Sequence, residues 1–139
     1  MSDFILDRRL ESDSLAITDL PLCHVRLMNN KHFSWILLIP RVANAKEWID
    51  LPRELQHQLS DEIAICSHIF QALFTPHKLN IASLGNQVAQ LHVHLIGRHP
   101  HDAAWPNPVW GAAQAEYAEA ESEKIITELR SALDSLQLT

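Results

Sequence analysis

The chain has 139 residues, of which 47% are hydrophobic and 20% are charged, values typical of one compact globular domain with a substantial core. Its formal net charge of -6 argues against nucleic acid as a main partner, because a groove that follows a phosphate backbone needs an excess of basic residues. A small phosphorylated ligand needs only a local cluster of donors, so this class of ligand stays open.

The sequence carries no signal for a membrane or a secretory route. No apolar run reaches the roughly 18 residues of a membrane-spanning helix, and Met1-Ser2-Asp3-Phe4 lacks the charge pattern of a signal peptide. Cys23 and Cys66 are too few for a disulfide framework and lie among apolar neighbours, which favours buried free thiols. These features predict a cytoplasmic protein.

The first half of the chain predicts a hairpin followed by a long helix. Residues 1–14 are polar with a few apolar anchors and are interpreted as an N-terminal arm or a short helix. Alternation over 23–28 and an apolar run over 33–39 predict two strands joined by a turn. Asp50 and the proline that follows it predict the start of a helix, with Asp50 as its cap, that continues as one apolar stripe to about residue 75.

The second half predicts two more strands, a loop and a second helix. Residues 79–84 and 90–98 alternate, and their short connection predicts an antiparallel pair. Residues 99–111 hold three prolines and two tryptophans, which indicates an ordered irregular loop. Its aromatic side chains suit packing on a partner, closing a pocket or anchoring the loop in the core. Residues 112–137 predict a C-terminal helix, and the order of elements predicts one α+β domain over 1–139 with a largely antiparallel sheet.

The strand 90–98 carries the chemistry. In Gln90-Leu91-His92-Val93-His94-Leu95-Ile96 the side chains of Gln90, His92 and His94 should share one face, and the aliphatic residues between them should face the core. Two histidines spaced in this way can be chance surface residues, a pair of metal ligands, or a nucleophile with a supporting donor. Backbone N–H groups and amides near residues 85–87, together with Arg98, are suitable donors to phosphate oxygens.

An imidazole is a suitable nucleophile for a phosphoric anhydride. In its neutral form it attacks phosphorus without first losing a proton, and the phosphoramidate that results is hydrolysed in a second step. The other ring nitrogen must then donate its N–H to an acceptor that fixes the tautomer, and the backbone carbonyl of Gln90 lies two residues before His92. His94 can contact a phosphate oxygen or pass a proton to the leaving group.

These seven residues resemble the signature of the histidine-triad superfamily of nucleotide hydrolases and transferases, His-φ-His-φ-His-φ-φ with φ apolar. The resemblance covers about residues 20–111, since the hairpin, the helix over 51–75 and the strand bearing Asn80 follow in the family's order. The first histidine of the triad is Gln90 in this chain. The resemblance implies an α+β fold with a mainly antiparallel five-stranded sheet, one long helix between hairpins and a C-terminal helix.

The resemblance also implies roles for individual residues. His92 matches the central histidine, which attacks the α-phosphate and becomes nucleotidylated, and His94 matches the last histidine, which assists at the phosphate and the leaving group. Gln90 cannot act as an acid or carry a charge, but it keeps amide donors and the backbone carbonyl. The matching substrate-binding positions are Asn80 on the neighbouring strand, Gln87 where the family has a small hydroxyl residue at the phosphate, and Asn29 on the ribose or base side.

The implied function is hydrolysis at the α-phosphate of nucleoside polyphosphates, dinucleoside polyphosphates or nucleoside 5′-phosphate derivatives such as phosphoramidates. No cofactor is required, although a divalent cation can accompany the substrate phosphates, and a homodimer is implied. One alternative is a nucleotide-binding protein in which Gln90 marks weak or lost catalysis. The other is a metal site formed by His92 and His94 with His99 or His101.

Overall fold

The computed structural model describes residues 3–137, so Met1, Ser2 and the last two residues of the predicted domain lie outside the described part. None of the described helices is both long enough and apolar enough to cross a membrane. In chain order the elements are α1 Arg8–Asp13, β1 Ser14–Asp19, β2 Cys23–Met28, β3 Ser34–Pro40, a 3₁₀ turn Trp48–Asp50, α2 Arg53–Phe74, β4 Lys78–Ala82, β5 Val93–Arg98 and α3 Glu119–Gln137.

The sheet has five strands in the order β1-β2-β3-β5-β4, and every neighbouring pair is antiparallel. This confirms the predicted α+β class with its antiparallel sheet, its long helix between hairpins and its C-terminal helix. β1 is a strand that the sequence pattern does not predict, because its register with β2 shifts between Ala16 and Thr18 and its buried residues recur every third position instead of every second.

The two faces of the sheet are covered in different ways. Apolar side chains of α2 and α3 pack on one face. The other face is covered by the N-terminal segment and by the loop that follows β5, whose side chains form a second, smaller core. This second core is formed by Leu10, Phe33, Trp35, Leu37, Ile39, Ile96 and Val109, all buried. The candidate site lies on this face.

Several predicted boundaries change, including that of β4, which spans Lys78–Ala82 instead of residues 79–84. Pro52 is the N-cap of α2, and the Asp50 carboxylate accepts backbone N–H groups from Lys46 and Glu47 instead of capping that helix. β5 begins at Val93 and not at residue 90, because the Leu91 N–H donates to the Ala45 carbonyl, away from the sheet.

The prediction that the C-terminal helix begins at residue 112 is also wrong, since α3 begins at Glu119. The segment before it is held in a different conformation by Tyr117. The Tyr117 N–H donates to the Asn29 side-chain oxygen at 3.0 Å, and the Tyr117 hydroxyl donates to the Phe33 carbonyl at 3.1 Å.

A buried carboxylate joins α2 to the turn between β1 and β2. Glu62 is fully buried and accepts the backbone N–H groups of Leu22 and Cys23, each at 2.8 Å. Gln58, one helical turn earlier, donates its side-chain amide to the same carboxylate. Both oxygens of the Glu62 side chain are therefore hydrogen bonded, as a buried polar group in a core must be.

A second buried pair fixes the loop after β5. Arg98 and Asp102 form a bidentate ion pair with N–O distances of 2.8 and 3.1 Å, and their side chains are only 2% and 6% exposed. The guanidinium also donates to the Asn80 side-chain oxygen and to the Asn107 carbonyl. Burial alone would raise the pKa of the Asp102 carboxyl, but Arg98 and three backbone N–H groups lower it well below its usual range.

Asp102→Asn should destabilise the fold strongly, because it leaves the Arg98 guanidinium buried without its counter-charge. The expected loss in the free energy of unfolding is about 3–5 kcal/mol, to be measured by urea denaturation. The matched control is Asp61→Asn at an exposed position of α2, which should change the stability by less than about 0.5 kcal/mol. Equal effects of the two substitutions would contradict the role given to the ion pair.

Candidate active site

A cavity of about 810 Å³ opens on the face of the sheet opposite α2 and α3. Its volume is in the range of small-molecule sites, roughly 300–1,000 Å³. Four parts of the chain line it: the N-terminal helix α1, residues 28–30 with Trp35 of β3, the stretch 84–94 that leads into β5, and the loop and extended segment 109–116. His92 and His94 both face this cavity, with their ring centroids 4.9 Å apart.

His92 has one ring nitrogen fixed by the backbone. Its Nδ1 lies 2.6 Å from the Gln90 carbonyl oxygen. A carbonyl oxygen only accepts hydrogen bonds, so in the neutral ring Nδ1 carries the proton and Nε2 has the lone pair. The ring is 5% exposed and lines the cavity. This is the tautomer that a nucleophilic imidazole requires.

The hydrogen-bond partners of His94 select the opposite tautomer. The Trp35 indole N–H donates to Nδ1 at 3.1 Å, and since an indole nitrogen is only a donor, Nδ1 is unprotonated. Nε2 then carries the proton and points to the Leu84 carbonyl at 3.3 Å, a long hydrogen bond. Burial, and to a smaller extent the neighbouring His92, lower the pKa of His94 to about 4, against a smaller opposite effect of the hydrogen bond to the Leu84 carbonyl. His94 is therefore a neutral hydrogen-bond donor near neutral pH.

Two tryptophans pack around His94. The ring centroid of Trp35 lies 5.7 Å from that of His94, and Trp110 lies at 5.0 Å in an edge-to-face arrangement. The two indoles also contact each other edge to face at 6.0 Å. His94 is only 4% exposed in this arrangement, and the two indoles give the cavity an aromatic wall.

The loop after β4 passes close to His92 at Gly85. A Cβ atom at this position would lie 2.8 Å from the Val88 carbonyl oxygen and 3.9 Å from a carbon of the His92 ring. No side chain fits against that carbonyl without a shift of the loop. The absence of a side chain at Gly85 therefore lets residues 85–88 fold tightly beside His92, with Asn86 and Gln87 lining the cavity.

Comparison with known proteins identifies the family. The HIT domain family matches residues 9–101. The chain belongs to the HIT domain family. A histidine triad protein of Bradyrhizobium japonicum shares 42% sequence identity with this HIT protein and superposes with a TM-score of 0.90, over 93% of this chain and 97% of that one.

Two further solved structures are similar to a comparable degree. A histidine triad protein of Marinobacter aquaeolei has 39% identity and a TM-score of 0.92, covering 96% of this chain and 98% of that one. A histidine triad (HIT) protein of Sinorhizobium meliloti has 37% identity and a TM-score of 0.91, covering 95% and 98%. Comparison with curated proteins finds no significant match.

The cavity brings together four of the predicted site residues: His92, His94, Gln87 and Asn29 all line it. The Asn29 side-chain oxygen is already bonded to the Tyr117 N–H, so its amide N–H₂ group is the part left for a ligand. The Gln87 side-chain oxygen accepts a hydrogen bond from Arg9 at 3.0 Å.

Three other residues are placed differently. Asn80 is not among the residues that line the cavity, and its side-chain oxygen is bonded to Arg98. Arg98, interpreted from the sequence as a donor to phosphate, is instead buried in its ion pair with Asp102. The Gln90 carbonyl contacts His92 as expected, but the Gln90 side chain turns to the N-terminal segment and is absent from the cavity lining.

Sequence reasoning missed Arg9 and Trp35. Trp35 lies in an apolar strand, where an indole is expected in the core, and only its pairing with β5 shows that its N–H reaches His94. Arg9 lies in a polar segment far from the motif in sequence, and its nearness to Gln87 follows only from the tertiary fold.

Within residues 3–137, no group of three or more His, Cys, Asp or Glu side chains is placed to hold a metal ion. His99 and His101 stack on each other in the loop after β5, with ring centroids 5.2 Å apart. The metal-site hypothesis requires one of these two rings to join His92 and His94, and the described arrangement does not bring them together.

Replacing Trp35 should change the titration of His94. In Trp35→Phe the Nδ1 atom loses its donor and becomes free to take up a proton, so the pKa of His94 should rise from about 4. Because the ring stays buried, the pKa should remain below the ordinary value of about 6.5. The measurement is a pH titration of the His94 ring by NMR. Trp48→Phe, at an indole that is 54% exposed and does not line the cavity, is the matched control.

Proposed function

We propose that this HIT protein hydrolyses nucleoside polyphosphates or dinucleoside polyphosphates at the α-phosphate through a nucleotidyl-His92 intermediate. The proposal depends on one observation above the others: His92 faces the cavity with its Nδ1–H bonded to the Gln90 carbonyl and its Nε2 lone pair free. The 37–42% identity to histidine triad proteins over almost the whole chain supports it.

The reaction has two steps. Nε2 of His92 attacks the α-phosphorus, an Nε2–P bond forms, and the P–O bond to the departing phosphate chain breaks. The nucleotidylated ring is cationic because it keeps its Nδ1 proton, and the Gln90 carbonyl stabilises that charge. A water molecule then attacks the phosphorus and releases a proton to solvent, the electron pair of the breaking P–N bond returns to Nε2, and the nucleoside monophosphate leaves. No cofactor takes part, although a divalent cation can accompany the substrate phosphates.

The state of His94 favours a polyphosphate as substrate. A neutral His94 with its proton on Nε2 can turn this N–H from the Leu84 carbonyl to a phosphate oxygen as charge develops there. It is a poor proton donor to a leaving group, because its proton is held by a neutral imidazole. A departing phosphate chain is stable as an anion and needs no proton, whereas the amine of a phosphoramidate does.

The test is to trap the intermediate. Wild-type protein incubated with a dinucleoside polyphosphate labelled at the α-phosphate and quenched at high pH should carry the label on His92, located by mass spectrometry. His92→Ala should lose the label and at least about a thousandfold in turnover, because it lacks the nucleophile. His57→Ala, at an exposed histidine of α2, is the control and should keep both. Full turnover by His92→Ala would rule out the mechanism.

A nucleotide-binding protein with weak or lost catalysis is the second candidate, and the lack of a ready proton donor beside His92 favours it for any substrate whose leaving group needs a proton. Both ring nitrogens of His94 are hydrogen bonded, and the Gln90 side chain does not line the cavity, so neither group is a ready proton donor. In this case nucleoside monophosphates should raise the melting temperature while no member of a substrate panel is hydrolysed.

We also propose a homodimer formed through β4. This strand is at the edge of the sheet, and its Ile81 side chain is 50% exposed. An edge strand with an exposed apolar residue can pair with another strand. An apolar hollow beside it, lined by Trp48, Ile63 and Ile81, extends the surface that a second copy would cover.

Ile81→Asp should weaken this dimer, because it places a charge in the interface. Sedimentation velocity of wild-type protein should give twice the monomer mass, and the variant should shift towards the monomer at the same concentration. Ile5→Asp is the matched control, since Ile5 is 82% exposed and lies on the N-terminal segment. A monomeric wild-type protein, or a dimer insensitive to Ile81→Asp, would contradict the proposed interface.

A cytoplasmic location is the last part of the proposal. Cys23 and Cys66 are both free and buried. Burial raises the pKa of the Cys66 thiol to about 12, and it raises that of Cys23 far above its usual range. Unpaired, unreactive thiols fit a reducing compartment.

A further inference from the structure

The side chain of Gln90 holds the N-terminal segment against the site. Its Oε1 accepts the Asp7 backbone N–H at 2.9 Å, and its Nε2 donates to the Ile5 carbonyl at 2.8 Å. One amide therefore satisfies a donor and an acceptor of the same stretch of backbone. The two nitrogens of an imidazole point away from each other, so a histidine at this position could not form both bonds.

The segment held by Gln90 continues directly into α1. The Asp7 carboxylate caps this helix by accepting the Arg9 N–H at 2.8 Å. Leu10, the next residue, is 4% exposed and packs in the core formed with Trp35 and Val109. These contacts fix both the start and the rotation of α1, and Arg9 is thereby directed to the cavity.

Arg9 is the one Lys or Arg among the described residues that line the cavity. Two carboxylates, Asp13 and Glu116, line it as well and would repel an anionic ligand. In the unliganded protein the Arg9 guanidinium donates to the neutral Gln87 side-chain oxygen at 3.0 Å. A phosphate oxygen accepts a stronger, charge-assisted hydrogen bond and can replace that amide.

We propose that Arg9 is a further phosphate-binding residue of this site and that Gln90 is the residue that positions it. The inference rests on the proposed function and adds to it the group that recognises the phosphate chain. Gln90 then has a role that a histidine at this position would not have. Its amide holds α1 so that the permanently charged guanidinium of Arg9 lies at the phosphate, in place of an imidazole whose charge depends on pH.

Binding of three adenine ligands tests the role of Arg9. Calorimetric titrations would use adenosine, AMP and the non-hydrolysable α,β-methylene-ATP. Arg9→Gln should lower the affinity for the triphosphate analogue by about tenfold to a hundredfold and leave the affinity for adenosine unchanged, because only the phosphates lose a charged partner. Arg9→Lys should restore part of the affinity. Arg8→Gln, an exposed neighbour on the same helix that does not line the cavity, is the matched control and should bind like wild type.

A double-mutant cycle tests the role of Gln90. Gln90→Leu removes both hydrogen bonds to the N-terminal segment but keeps the backbone carbonyl that holds His92. It should therefore lower the affinity for the triphosphate analogue and leave the affinity for adenosine unchanged. Gln90→Glu keeps the acceptor for the Asp7 N–H but turns a carboxylate oxygen towards the Ile5 carbonyl, so it should also weaken binding of the triphosphate analogue. Once Arg9 is replaced, Gln90→Leu should have no further effect on triphosphate affinity, because both changes remove the same contact.

The outcomes separate the two proposals. Wild-type protein that binds none of the three ligands would overturn the proposed function and this inference with it. If wild-type protein and Arg9→Gln bound the triphosphate analogue equally tightly, the inference about Arg9 would be overturned and the proposed function would stand. Additive losses in the double variant would show that Gln90 does not act through Arg9 and would overturn its positioning role.

Discussion

The ion pair between Arg98 and Asp102 is the interaction on which the shape of the site depends. It joins the end of β5 to the loop that follows, at a place where neither side chain is open to solvent. Such a pair is costly to bury and contributes little net stability, but breaking it is expensive, so it specifies one conformation of the loop. That conformation places Val109 in the second core and Trp110 against His94. The aromatic wall of the cavity is thus fixed from outside the cavity.

His92 and His94 differ chemically because the Nδ1 atom of each ring has a different hydrogen-bond partner. His92 faces a carbonyl, which can only accept, and His94 faces an indole N–H, which can only donate. Each partner selects one tautomer, and the selected tautomers expose a lone pair on one ring and a proton on the other. Since β3 and β5 are antiparallel neighbours, Trp35 and His94 meet across the strand pair without any local sequence relationship.

Elements with a regular hydrophobic period could be predicted from the sequence. Contacts between residues that lie far apart in the chain could not. The stripe of α2 and the alternation in β5 are regular, so both elements and the core face of β5 could be predicted. β1 escaped notice because its bulge breaks the alternation. The residue type of Arg98 suits phosphate, and nothing in the sequence shows that its guanidinium is instead bound by Asp102. Arg9 reaches Gln87 across 78 positions, a contact that only the fold creates.

The bonds between Gln90 and the N-terminal segment also have a consequence for folding. They join residues 83 and 85 positions apart, and the indole bond to His94 spans 59. Contacts that close such long loops cost the most chain entropy and tend to form late, after local hairpins and helices. Two amide hydrogen bonds from Gln90, the Arg9–Gln87 hydrogen bond and a few apolar side chains hold the segment, far fewer contacts than hold the sheet, so its local opening should cost less free energy than global unfolding. A preparation can therefore keep a native circular-dichroism spectrum and still lack a complete ligand site.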